Sequence, residues 1–175
     1  NATGVVVPEL LGRAPLAEEA IDAMARASRF YANVELDLTT GQRIGRNISV
    51  ARQLIKMTGA EAATVVNNRA AAIVLALAAV ARGREVLVSR GQLGESAGGE
   101  RLAAMIQASG AVLREVGSTN RTRGDDFSVA VTTRSAVIVR AAAGDYEVSG
   151  IHEQPTLADV VSVGRRHNLP VIDVS

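Results

Sequence analysis

Val65-Val66-Asn67-Asn68-Arg69-Ala70-Ala71-Ala72 carries an apolar, β-branched run through two asparagines into an alanine-rich stretch. β-Branched residues favour strands and alanine favours helix, so the segment predicts a strand, a turn and a helix whose N-cap is Asn68. The first amides of a helix have no partners inside it, and the macrodipole places roughly half a positive charge there. Such a turn can hold a phosphate with no basic side chain. A plain cap in an α/β protein fits the same residues, so the flanking sequence has to decide.

Working outward, Pro15 with Glu18 and Glu19 opens a helix to about Ser28, residues 30–46 read as a long ordered loop, and a second helix over 49–57 ends at Gly59. Strands are then expected at 62–66, 85–89, 111–116, 136–141 and 171–174. Helices are expected between them at 68–82, 100–108, 127–131 and 156–167, with Gly83 and Gly110 as stops. The alternation predicts an α/β fold: three layers, a mostly parallel sheet with helices on both faces. Residues 1–60 are read as N-terminal helices and a loop leading into a large domain at 61–175. The apolar run 70–81 is too short for a bilayer, which takes roughly 20 residues, and reads as a buried helix.

Ligands of such sheets bind outside the carboxyl ends of the strands. That rim would collect Asn67, Asn68, Arg69 and Ala70, then Ser89 to Gln92, then Ser118, Thr119 and Asn120, then Gly144, Asp145 and Tyr146, and finally Asp173.

Composition narrows the chemistry. The 175 residues are 47% hydrophobic but only 2% aromatic, which predicts a core of Ala, Val, Leu and Ile. A net charge of +1 with no basic run is not the footprint of a dedicated nucleic-acid binder. With no cysteine there is no disulfide, thiolate metal site or cysteine nucleophile, and His152 and His167 are too few for a histidine cluster. No secretory signal is visible, and the absence of an initiator methionine leads us to expect a fragment. The loop Gly91-Gln-Leu-Gly-Glu-Ser-Ala-Gly-Gly99 lacks the spacing of a dinucleotide site or a P-loop, and Ser96 lacks the context of a hydrolase elbow.

Five further segments carry a resemblance: Asn1-Ala-Thr-Gly-Val-Val, Leu11-Gly-Arg-Ala-Pro-Leu, Thr58-Gly-Ala-Glu-Ala-Ala, Gly83-Arg-Glu-Val-Leu-Val-Ser-Arg-Gly and Val116-Gly-Ser-Thr-Asn-Arg-Thr. In order and spacing they are similar to the bacterial selenocysteine synthase family, the L-seryl-tRNA(Sec) selenium transferases, along nearly the whole chain. The resemblance implies the large domain of a fold-type I enzyme using pyridoxal 5'-phosphate (PLP), truncated before its Schiff-base lysine. That lysine would lie beyond Ser175; Lys56, the single lysine here, reads as a surface residue of the second helix.

The resemblance also implies roles. Asn67, Asn68, Arg69, Ala70, Gln92 and Ser118 would bind the cofactor, with Asp173 against its pyridine nitrogen. Asp173 could equally cap a following helix, and the family often places its aspartate one position later, where Val174 stands. A one-residue shift turns a strand side chain to the other face. Gly41-Gln-Arg-Ile-Gly-Arg-Asn47 resembles the family's Gly-Glu-Arg-Gly-Ser-Arg, so Arg43 and Arg46 would bind an anionic substrate, or else be solvated or paired with Glu35 and Asp37.

Departures gather at the rim: Arg69 for a third asparagine, Gln92 for a glutamate, and Ala141-Ala-Ala-Gly-Asp-Tyr146 for Val-His-Thr-Ser-Asn-Tyr. The implied function is conversion of seryl-tRNA(Sec) to selenocysteinyl-tRNA(Sec) by β-elimination and selenium addition. A related PLP lyase or transferase of the amino-sugar acid ammonia-lyase type, or a non-catalytic subunit-contact module, are the alternatives. The parent would be a cytoplasmic homo-oligomer, at least a dimer, without membrane or metal partners. Aminoacyl-tRNA would be held largely by parts not present here.

Overall fold

The computed structural model describes residues 15–96, 98–142 and 148–174. Gly144, Asp145 and Tyr146 lie outside the described residues, as do the segments 1–14 and Ser175. The chain forms two compact units, 1–65 and 66–175.

In the first unit, α1 (Glu18–Ser28) carries Glu18 and Glu19 in its first turn and Arg26 in its last, the arrangement the helix dipole favours. α2 (Ile48–Thr58) stops at Gly59, whose φ of 72° is the left-handed conformation that glycine adopts without penalty. Lys56 is exposed on α2, as expected. Between the helices the chain folds back on itself: Leu36 bridges Arg43 in antiparallel fashion, and the Ile44 amide donates to the Glu35 carbonyl at 2.8 Å.

The second unit runs α3 (Arg69–Ala81), β1 (Glu85–Ser89), α4 (Leu102–Ala108), β2 (Val112–Val116), α5 (Gly124–Ala130), β3 (Ser135–Ala141), α6 (Leu157–His167) and β4 (Val171–Val174). The four strands pair in parallel, in the order β2-β1-β3-β4. β1 is buried along its whole length and β3 at six of seven positions, because helices cover both faces. Val86, Val88, Val137, Val139 and Val174 pack with Ile73 and Leu77 of α3 and with Leu102, Met105 and Ile106 of α4. Leu87, Val116 and Ile138 pack on the other face with Phe127 of α5 and Val160 and Val163 of α6. Each fully buried aliphatic side chain contributes roughly 2 kcal/mol. Phe127 joins a core otherwise built from small aliphatics and Met105.

Two expectations are corrected. Residues 62–66 are not a strand: the segment pairs with no other among the described residues, and β propensity without a partner does not make a strand. α3 is not buried all round. Ile73, Leu77 and Ala81, four residues apart, form the buried stripe, while Leu75 and Val80 are exposed.

Candidate functional site

Asn68 precedes α3 in extended conformation, and its Oδ1 accepts the Ala71 amide at 2.7 Å while its carbonyl accepts the Ala72 amide at 3.1 Å. That satisfies the third and fourth amides of the helix. The amides of Arg69 and Ala70, ahead of them, have no protein acceptor among the described residues. Asn67 and Arg69 are exposed beside them, and Arg69 makes no ion pair among the described residues. Two unpaired amides, the positive end of a thirteen-residue helix and a cationic side chain could together hold an anion. Ala70 also packs against the core cluster that contains Ile73 and Val174.

The carboxyl ends of the strands lie at the same end of the parallel sheet. After β1 the chain makes one 3-10 turn, Arg90–Gln92, and the Gln92 Oε1 accepts the Ala141 amide at 3.2 Å at the end of β3. The side-chain amide nitrogen of Gln92 makes no hydrogen bond among the described residues and could donate to a ligand. After β2, Gly117 turns with a φ of 69°, and Ser118 donates from Oγ to the Arg121 carbonyl at 2.9 Å. The Ser118 hydroxyl therefore shapes its own loop, keeping an acceptor lone pair.

Sequence reasoning missed a buried polar cluster at this end. Ser89, fully buried, donates from Oγ to Gln154 Oε1 at 2.9 Å, and its oxygen lies 2.8 Å from the buried Thr122 hydroxyl. Gln154 sits in an irregular segment with no periodicity to mark it. The strand-ending serine was the one legible signal.

Asp173 is placed differently from the cradle. Val171 packs with the α5–α6 cluster and Val174 with the α3–α4 cluster, so strand alternation turns Asp173 to the α5–α6 side. There it is the register partner of Arg140 and accepts a hydrogen bond from its Nη1 at 2.7 Å. α3 packs on the opposite face. It is Val174, not Asp173, that shares a cluster with Ala70.

Within the first unit, Arg43 pairs with Glu35 at 3.2 Å and Arg46 pairs with the other oxygen of the same carboxylate. One carboxylate thus gathers two guanidinium groups. Asp37 pairs with no arginine among the described residues; the Thr39 amide donates to its carboxylate at 2.8 Å and holds its pKa below the ordinary value.

Among the described residues no group of His, Asp or Glu is arranged to hold a metal ion, and no helix is long and apolar enough to cross a membrane. A shallow concavity lined by Gly164, Leu169, Pro170 and Val171 lies at the amino end of β4, away from the rim.

A sequence model of the family described as L-seryl-tRNA selenium transferase matches residues 1–174. The chain is 46% identical over 172 residues to the L-seryl-tRNA(Sec) selenium transferase of Carboxydothermus hydrogenoformans, covering 98% of this chain and 37% of the relative. It is 47% identical over 173 residues to that of Desulfomicrobium baculatum, covering 99% and 37%. The chain therefore spans little more than a third of the length of these curated relatives. Among solved structures it is similar to D-glucosaminate-6-phosphate ammonia-lyase, with a TM-score of 0.71 at 22% identity over 94% of this chain and 45% of that one. An aminotransferase from Psychrobacter cryohalolentis superposes with a TM-score of 0.59 at 16% identity over 91% and 37%. At such identities these two likenesses speak for the fold alone.

Proposed function

Because this chain belongs to the L-seryl-tRNA selenium transferase family, we propose that it is the cofactor-binding part of a PLP enzyme that converts seryl-tRNA(Sec) to selenocysteinyl-tRNA(Sec). One observation of the structure carries the cofactor reading. Among the described residues the amides of Arg69 and Ala70 stand unpaired at the start of α3, which supports a phosphoryl group binding there. The residues fit the group at that end. Asn67, Asn68, Arg69 and Ala70 would hold the phosphate, with Gln92 and Ser118 facing the ring.

Once bound, the cofactor supplies an electron sink that permits loss of the α-proton and of the seryl oxygen before selenium adds. The chain's own part is binding and orientation. α3 fixes the phosphate by its amides and dipole, and Gln92, tied to β3 through its carbonyl oxygen, offers its amide nitrogen. Arg43 and Arg46, held in a fixed fork by Glu35, are assigned to the anionic selenium donor or a substrate carboxylate. The geometry favours a different role for Asp173 from the pyridine contact the resemblance implies: with Arg140 it joins the ends of β3 and β4.

The activity belongs to the longer parent, which supplies the Schiff-base lysine and most of the tRNA contact; the net charge of +1 here supports the latter. We assign the parent to the cytoplasm, where aminoacyl-tRNA is made, and to a homo-oligomer, at least a dimer. The relatives' shared activity favours selenium transfer over an ammonia-lyase reaction.

The test is to purify the full-length product, add PLP and record the visible spectrum before and after borohydride, then supply seryl-tRNA(Sec) and selenophosphate. A cofactor band abolished by borohydride, with selenocysteinyl-tRNA formed, supports the reading. A protein that acquires no band is a scaffold, and one with the band that leaves seryl-tRNA(Sec) unchanged is a different PLP enzyme.

A further inference from the structure

The buried cluster at the end of β1 joins three loops. Ser89 ends the strand and leads into the Arg90–Gln92 turn; Thr122 closes the loop after β2; Gln154 comes from the segment leading into α6. The backbone of that last segment is fixed independently. The Glu153 amide donates to the Asn120 carbonyl at 2.9 Å, the Thr122 amide to the Glu153 carbonyl at 2.9 Å, and Asn120 Nδ2 to the Ile151 carbonyl at 2.9 Å. Arg121 and Arg123 both pair with the Glu153 carboxylate, at 3.4 and 3.0 Å. Gln154 therefore extends its side chain from an anchored base.

Its far end fits a gap that a glycine leaves open. A Cβ at Gly91 would collide with the Gln154 side-chain amide and lie 2.6 Å from the Thr119 carbonyl oxygen, so only glycine lets the turn sit this close. At the end of that turn is Gln92, bound to the Ala141 amide. The chain of contacts runs from Gln154 through Ser89 and Gly91 to Gln92, all within the second unit.

We propose that Gln154 is a positioning residue: by accepting from Ser89 and filling the space at Gly91 it sets the Arg90–Gln92 turn, and with it the amide nitrogen that Gln92 presents to a bound cofactor ring. This rests on the cofactor reading given above. A purely structural Gln154 would change thermal stability and leave cofactor affinity alone, whereas a positioning one changes affinity through Ser89.

The experiment uses the full-length protein and PLP, with affinity read from the visible band at temperatures well below melting. Gln154→Leu, of similar length but without an acceptor, should weaken PLP binding about tenfold, the upper end of what one neutral hydrogen bond contributes. Gln154→Glu, which keeps the acceptor for Ser89, should return affinity to within about threefold of the parent. Ser89→Ala combined with Gln154→Leu should be no weaker than the worse single variant, because the two act through one hydrogen bond. Parent-like affinity in Gln154→Leu, or additive losses in the double variant, overturns the proposal while the cofactor reading stands. A parent protein that takes up no PLP overturns both.

Discussion

The guanidinium of Arg140 donates to the carboxylate of Asp173 at 2.7 Å, and the two residues are register partners across β3 and β4. Their side chains are 25% and 32% exposed, and Arg140 Nε is enclosed with no partner among the described residues. Removing Asp173 would leave that arginine without its counter-charge. We expect Asp173→Asn in the full-length protein to lower unfolding stability by about 1 kcal/mol, read from the urea midpoint, and to leave PLP affinity within about twofold. A tenfold loss of affinity without a stability change would return Asp173 to the ring nitrogen.

Asn68 separates capping from anion binding. Asn68→Ala removes the acceptor for the Ala71 amide and should cost about 1 kcal/mol of stability. Asn68→Asp keeps the cap and complements the helix dipole, so thermal stability should hold. Its negative charge nonetheless faces any phosphoryl group on the Arg69 and Ala70 amides, and PLP affinity should fall at least about tenfold. Equal affinity in Asn68→Asp and the parent would remove the phosphate from this cradle.

α6 begins with a reciprocal cap: the Asp159 amide donates to Thr156 Oγ1 at 3.2 Å, and the Thr156 hydroxyl and amide donate to the Asp159 carboxylate at 2.7 and 2.9 Å. These bonds, the side-chain one first, hold the Asp159 pKa below its ordinary 3.8. A lowered carboxylate pKa stabilises the fold above the unfolded value and ceases to do so as pH falls through the folded value. Melting temperatures should therefore show the parent above Asp159→Asn at neutral pH, with the gap closing on acidification below 3.8. A gap that persists at low pH would assign the effect to helix packing instead.

Gly164 lies in α6 against the start of β4. A Cβ there would stand 2.7 Å from Val171 Cγ2 and 2.8 Å from the Leu169 carbonyl oxygen, and a backbone oxygen cannot swing aside as a side chain can. Gly164→Ala should destabilise by about 1–3 kcal/mol despite alanine's better helix propensity. Chemical denaturation checks this, and a stabilised variant would mean that α6 can move off the sheet.

Local chemistry made much of this protein legible. Asn68 reads as a cap because a short side-chain oxygen before an alanine run has one obvious use, and it does cap. Gly59, Gly83 and Gly110 read as stops and all take positive φ. The unbroken aliphatic runs of β1 and β3 read as strands covered on both faces, and the parallel sheet follows from the helices between them. What did not follow was anything requiring a partner distant in sequence. Residues 62–66 have strand propensity but pair with no strand among the described residues. Arg43 and Arg46 could not be seen to share Glu35, nor Ser89 to meet Gln154, 65 residues away.

The sequence by itself determined most of the elements, their order, the capped helix start and the family, because each depends on neighbours within a few residues or on a pattern spread along the chain. Only the tertiary structure decided which sheet face Asp173 occupies, which arginine takes its carboxylate, and which half-buried glutamine meets the serine that ends β1. Strand alternation fixes the two faces relative to each other, but it takes packed helices to make one of them the α3 side.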